Sequence, residues 1–373
     1  MPLPRPGLSD GFDCRLNQCS AAGNVARLSD ERVLTLRELN RALLARQLLL
    51  ERRKLAVPKA IERLCAVQAQ YSPSPYIGLW SRLHDFRKEQ LTRALEQRQV
   101  VKASLFRVTL HIVSASDFPK FVAAWLAGAR AAFRGMSPAE IDRIADRVHA
   151  AANKRALTHD ELAELVPELG QLKWRVRALA PLVHEPPSGT WRFHGRPRLT
   201  AIERWLSRSM ADPAEGAQHY VRRYLRAFGP ASREDVVRFA GVRVRNVQPA
   251  LDALEPLRRF RDEDGRVLLD LPRASLPDGD VPAPVRFLPK WDSSQLAYVP
   301  AARTRVLPEE FRPAVFKNNG DLLPTVLVDG FVSAVWNIDK SGRLEVTPLR
   351  RLSRAERAHV DAEGERLLTF VRE

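Results

Sequence analysis

The stretch from His219 to Leu271 constrains the fold of this chain more than any other, because its local signals follow one another in an order that few folds can use. Tyr220, Tyr224, Leu225 and Phe228 share one face of a helix that Gly229-Pro230 stops. Ser232, followed three residues later by Asp235, is a capping box that opens a second helix; Val236, Val237, Phe239 and Ala240 are its buried side, and Gly241 ends it. A third helix is expected over 244–257, with Val247, Ala250, Leu251 and Leu254 inward and the polar Arg243, Arg245 and Asn246 at its start. Residues 257–261 and 267–271 then form a hairpin around 262–265, where Asp264-Gly265 is the turn signal. Three helices followed by a hairpin are a winged helix-turn-helix, and the start of the third helix is where such units contact bases.

The same grammar occurs twice more. Thr158 and Glu161 cap a helix carrying Leu162, Leu165 and Val166, 167–170 turns the chain, and Lys173, Arg175 and Arg177 fall on a third helix. Residues 183–194 fold back around 186–189 as a longer wing. In a more diverged first copy Thr35 and Glu38 cap a helix to Leu50, further helices are expected over 57–67, 75–83 and 91–105, and a strand over 108–113. After Pro272 the pattern changes to short Val, Leu and Phe runs at 285–288, 325–328 and 331–336, separated by turns at Asp329-Gly330 and Gly342. That is a small antiparallel β domain, closed by an amphipathic helix over 354–371 that packs across the sheet. The fold expected is therefore α+β: tandem winged-helix units over 33–135, 136–215 and 216–280, then a β domain with a C-terminal helix over 281–373. Residues 1–32, without a continuous apolar segment, read as a disordered tail and not a secretory signal.

Charge points to the partner. A net +16 over 373 residues attracts a polyanion, since each neutralised phosphate releases condensed counterions; an Arg-rich codon bias would give the same excess. The longest apolar run, 121–129, is half the length of a membrane span and reads as a buried helix, so no membrane association is expected. Cys14, Cys19 and Cys65 have no metal-type spacing and suit a reducing cytoplasm. No metal and no cofactor is expected.

The most unusual polar cluster is Gln68-Ala69-Gln70-Tyr71, where a helix runs into Ser72-Pro73-Ser74-Pro75. Proline biases its predecessors toward extended backbone, and there residues two apart point to one side. Gln68 and Gln70 then present two amides to one cavity; the plainer alternative is two glutamines on a solvated helix end.

Val67-Gln68-Ala69-Gln70 followed by Pro75-Tyr76-Ile77-Gly78-Leu79-Trp80 resembles the signature of the AlkZ-type bacterial winged-helix DNA glycosylases. The resemblance extends through Phe106-Arg107-Val108-Thr109-Leu110-His111, residues 224–230, Leu288-Pro289-Lys290-Trp291-Asp292 and Val326-Leu327-Val328-Asp329-Gly330, and spans nearly everything after residue 32. It implies tandem winged-helix units around a basic channel, Gln68 and Gln70 as catalytic residues, and hydrolysis of the N-glycosidic bond of alkylated purines. Interstrand crosslinks are among the substrates of some members. Val108 and Ser293 stand where the family often has a small residue and Asn, which bears on lesion preference.

Glutamine does not titrate near neutral pH and cannot act as an ordinary general base, but its amide can orient a water. Alkylation at guanine N7 makes the base a good leaving group, so the demand moves to the sugar, where carbonyl dipoles favour an oxocarbenium-like transition state. The resemblance places no side-chain amine to attack the sugar, so a monofunctional enzyme using water is expected, acting as a monomer on double-stranded DNA carrying alkylated bases. Candidate DNA contacts are Arg107, His111, Lys173, Arg175, Arg177, Arg243, Arg245, Trp291, Asp292, Lys317, Asn318 and Asn319. Each has a structural alternative: His111 as a buried histidine, Trp291-Asp292 as a packed ring and a turn, 317–320 as a solvent hairpin. The rival to an enzyme is a non-catalytic winged-helix DNA-binding protein such as a transcriptional regulator.

Overall fold

Reciprocal capping boxes set the starts of five helices: Thr35 with Glu38, Ser137 with Glu140, Thr158 with Glu161, Ser232 with Asp235 and Ser353 with Glu356. In each, the hydroxyl accepts from the backbone three residues on while the carboxylate accepts from the cap's own N–H, so two otherwise unpaired donors are satisfied locally. The computed structural model describes residues 31–373 apart from Ala132, Arg134, Glu255 and Asn319; of the expected tail, 1–32, all but the last two residues lie outside the described part.

The described chain is a mixed α+β structure with three sheets. Residues Val67–Gln68, Thr109–Ser114, Val100–Leu105, Leu182–His184, Arg198–Ala201 and Leu157–Thr158 form, in that order, a six-stranded sheet. Val33–Leu34, Arg258–Asp262 and Val267–Asp270 form a second, in which Val33 pairs with Arg261 in parallel register. Arg286–Leu288, Thr325–Val328, Phe331–Ile338 and Leu344–Pro348 form an antiparallel third, and the helix Arg354–Arg372 buries Leu367 and Phe370 in a core shared with it.

Several elements depart from expectation for identifiable reasons. Residues 91–105 are not one helix: Lys88–Glu96 is helical, and Val100–Leu105 is a strand buried along its whole length. It pairs along one edge with Thr109–Ser114 and along the other with Leu182–His184, and both its faces are buried, Lys102 and Ser104 included, so its polar positions do not mark a solvent face. The helix expected to Val67 is Val57–Leu64; Cys65, at φ 70°, turns the chain so that Val67 and Gln68 join the sheet opposite Ile112 and His111. The helix expected over 244–257 is the shorter Val244–Asp252. Lys173, Arg175 and Arg177 lie on a 3-10 segment, Pro167–Ala178, interrupted at Gly170, and the hairpin expected over 183–194 pairs Val183 with Thr200 instead.

The main core lies where the helices Phe118–Arg130 and Pro213–Phe228 cross. Their backbones meet at Gly216, where a Cβ would stand 2.6 Å from the Lys120 carbonyl oxygen. Phe106, Phe121, Tyr220, Tyr224, Phe228 and Phe239 stack there, with ring centroids 5.1–6.3 Å apart. Each such ring stabilises the fold by roughly 2–3 kcal/mol through burial. Buried Tyr220 and Tyr224 hydroxyls donate to Val236 and Ala297 carbonyls, so neither is stranded. The run 121–129 lies within this buried helix, and no described helix is long and apolar enough to cross a membrane.

Candidate active site and nucleic-acid interface

The glutamine segment is held at a sheet edge. Pairing of Gln68 with His111 continues as Ala69 N–H donates to the Leu110 carbonyl at 2.8 Å, and Ser293 Oγ donates to the Ala66 carbonyl at 3.2 Å. Gln70 N–H donates to Gln68 Oε1 at 2.7 Å, fixing the Gln68 amide over its own backbone. Gln70 Oε1 accepts from Leu110 N–H at 3.3 Å. The two side chains are thus not equivalent: Gln68 is 6% exposed and lines a crevice, whereas Gln70 is exposed and anchored to the neighbouring strand. Gln70 does not line this crevice, the Gln70 N–H to Gln68 Oε1 hydrogen bond turning the chain locally between them.

The crevice measures about 10 Å³, close to the minimum for a single water. Its walls come from Ser74, Gly78 and Arg82 on one side and Pro289 to Ser293 on the other. Ser74, Pro289 and Lys290 also line a cavity of about 600 Å³ beside it, with Tyr71, Trp191 and Trp336 among its surfaces. Ser74 Oγ, in this common wall, is buried without a hydrogen-bond partner. Ser74, Arg82 and Lys290 escape sequence reasoning as site residues; only Lys290, within the Leu288 to Asp292 motif, carries a signal.

The charged groups here are committed. Arg82 Nη2 donates to Asp292 Oδ1 at 2.9 Å, and Asp292 also caps the short helix Ser293–Leu296 by accepting from Ser294 N–H. Asp292 is therefore a buried structural carboxylate and not the DNA contact expected. Lys290 pairs with Asp321 at 2.7 Å and sits 4.8 Å from the centre of the Trp291 ring. Trp291, half-buried, is tied to the hairpin carrying Lys317 and Asn318: its N–H and Nε1–H donate to the Leu322 and Gly320 carbonyls, each at 3.4 Å. Lys317 and Asn318 are exposed at that hairpin's tip; Asn319 lies outside the described residues.

His111 is fully buried, and burial followed by the nearby Arg107 charge pushes its pKa down to about 3. A neutral imidazole with Nδ1 at 3.1 Å from the Thr109 carbonyl is a structural group, which corrects its assignment as a DNA contact. Arg107, half-buried, donates to the Phe239 carbonyl and stacks 5.0 Å from that ring, so it ties its segment to the helix Arg233–Ala240 and does not face solvent freely. Lys173, Arg175 and Arg177 are half-buried, Arg175 lying 5.2 Å from the Phe133 ring. Arg243 and Arg245 are exposed at the start of the helix Val244–Asp252. Among the described residues no group of three His, Cys, Asp or Glu could hold a metal ion.

A neutral amide in a water-sized crevice, with every nearby charge paired, suits orientation of a nucleophile and stabilisation of a developing positive charge by carbonyl dipoles better than proton transfer. The chain is 27% identical over 330 residues to an interstrand DNA cross-link repair glycosylase of Streptomyces sahachiroi, covering 81% of this chain and 87% of that protein. The solved structure of Streptomyces sahachiroi DNA glycosylase AlkZ superposes with a TM-score of 0.74 at 22% identity, covering 89% of this chain and 95% of that one, which relates the folds. The sequence profile described as DNA glycosylase AlkZ-like matches residues 61–370, and the chain accordingly belongs to that family of enzymes acting on N-glycosyl bonds in DNA.

Proposed function

We propose that this enzyme hydrolyses the N-glycosidic bond of N7-alkylguanine and related alkylated purines in duplex DNA, with water as the nucleophile and without lyase activity. The observation that carries this reading is Gln68, an uncharged amide with its carbonyl fixed by Gln70 N–H, lining a crevice of about one water's volume beside a 600 Å³ cavity. Gln68 orients the water and offers a carbonyl dipole to the sugar; Gln70, exposed on the adjoining turn, meets the substrate from outside the crevice. Normal purines need leaving-group activation that these residues do not supply, so they are spared.

Tandem winged-helix units supply the duplex-binding surface in this reading, with Arg243 and Arg245 at a base-reading helix start and Lys317 and Asn318 at a hairpin tip near Trp291; Asn319 is counted with them from the sequence alone. The enzyme acts as a monomer on nucleoid DNA in the cytoplasm. Because the Streptomyces sahachiroi relative is named for cross-link repair, bulky N7 adducts and interstrand crosslinks are included among the substrates. The test is release of free base by purified protein from duplexes carrying 7-methylguanine, a bulky N7 adduct or an N7–N7 crosslink. Release without added metal or nucleotide, with no strand cleavage, is expected. No release from any of the three sinks the reading.

A further inference from the structure

A second concavity, of about 630 Å³, is lined by Arg46, Arg63, Arg222, Arg223, Arg226 and Arg273. It shares no lining residue with the Gln68 crevice or the cavity beside it, and no carboxylate lines it. Two of the six guanidiniums are committed: Arg46 makes two 2.7 Å bonds to buried Asp270, and Arg223 bonds Asp117 at 2.9 Å. The other four, Arg63, Arg222, Arg226 and Arg273, have no hydrogen bond or ion pair to any described residue. His219, also in the wall, engages Asp117 through Nε2 at 2.7 Å.

This is an unusual way to distribute positive charge. Arg222 and Arg226 are four residues apart on Pro213–Phe228, where like charges repel along one helix face, and Arg63 approaches them from Val57–Leu64. Burial, then the charges of Arg226, Arg53 and Arg46, hold the Arg63 guanidinium below its ordinary value. An ordinary solvated surface interleaves carboxylates among its arginines; here the local acids are already paired with Arg46, Arg223 and His219. Guanidinium forks match phosphate oxygens in pairs, and a concavity of this size accommodates a small ligand.

We propose that this arginine pocket binds an anion bearing at least two adjacent phosphate groups, at a site separate from the glutamine site. Either a free oligophosphate or consecutive phosphates of a DNA strand supplies that chemistry. The exposed pair Arg222 and Arg226 is removed together, Arg222→Ala with Arg226→Ala, in the full chain. Arg354→Ala with Arg357→Ala, exposed on the C-terminal helix, removes the same charge elsewhere. Calorimetric titration with tripolyphosphate at fixed ionic strength is one arm, and the salt dependence of binding to an undamaged duplex is the other.

If a free oligophosphate is the ligand, tripolyphosphate binds the parent chain and the control, and at least tenfold more weakly the pocket variant, while the duplex salt slope is unchanged. If the DNA backbone is the ligand, the salt slope of the pocket variant falls by about 2 relative to the control, at ~0.9 per phosphate contact. The proposal is overturned if the pocket variant matches the control in both arms. Release of 7-methylguanine is followed on the same preparations, so failure of the glycosylase reading and failure of this one are read separately.

Discussion

Arg82 and Asp292 stand 210 residues apart in sequence and meet in a buried ion pair at 2.9 Å, their side chains 3% and 5% exposed. Arg82 also donates to the carbonyls of Gln47 and Gly78, at 3.0 and 2.9 Å. The pair thereby clamps the helix Pro73–Trp80, which follows the glutamines, to the segment carrying Trp291. Removing one partner strands the other charge in the interior, so Asp292→Ala is expected to lower stability by about 3–5 kcal/mol. Urea unfolding measures this; a loss under ~1 kcal/mol would show that the pair does not act as a clamp.

Gln68→Ala and Gln70→Ala are each expected to slow single-turnover release of 7-methylguanine by about 100-fold, the effect of losing one positioned dipole. Affinity for the damaged duplex should change less than threefold by fluorescence anisotropy, since both act on the transition state. An equal loss of affinity and rate would assign the glutamines to binding.

Arg243→Ala with Arg245→Ala should reduce the salt slope of duplex binding by about 2, at ~0.9 per phosphate contact, while leaving the melting temperature unchanged, because both side chains are exposed. An unaltered slope would remove this helix start from the interface.

Acid should destabilise the fold well above the carboxylate range. Burial pushes the pKa of both His111 and His184 down to about 3, against 6.5 for the free side chain. Between these values the unfolded chain binds protons that the folded chain does not, so stability is complete above about pH 6.5 and falls as pH drops toward 3. Each histidine contributes a slope of up to about 1.4 kcal/mol per pH unit in that window. Denaturant unfolding at pH 7 and pH 5 tests it, and His184→Leu should flatten the dependence; equal stability at both pH values contradicts the prediction.

Gly241 ends the helix Arg233–Ala240 at φ 71°, and a Cβ there would lie 3.2–3.3 Å from Arg107. Gly241→Ala therefore combines left-handed strain with contact against the arginine that holds Phe239, and a loss of about 1–3 kcal/mol is expected in thermal or urea unfolding.

What the sequence made legible was local. Thr35 with Glu38, Thr158 with Glu161 and Ser232 with Asp235 each declare a helix start within four residues, and Asp329-Gly330 declares its hairpin. Val100–Leu105 was hidden because its alternation is short, Lys102 and Ser104 against Val101, Ala103 and Leu105, and it follows the helix Lys88–Glu96 after a gap of only three residues. Gln68 stood out through its family resemblance, while its unequal relation to Gln70 depends on one backbone hydrogen bond. Arg82 gave no sign of its role, since its partner lies 210 residues away and ion pairing has no sequence period. His111 looked ambiguous among apolar neighbours, and only full burial decides it.

The six-stranded sheet carries a lesson about modularity. Val100–Leu105 sits inside it, bonded on one side to the hairpin that holds Gln68 in place and on the other to Leu182–His184. A chimera that took residues 33–135 from this chain and the following segment from a distant relative would have to match that seam hydrogen bond for hydrogen bond, or leave a buried strand with an open edge. Recombination among such enzymes is thus expected to exchange the glutamine motif and residues 136–215 as one heritable block, with crossovers tolerated beyond Ala201 rather than between them.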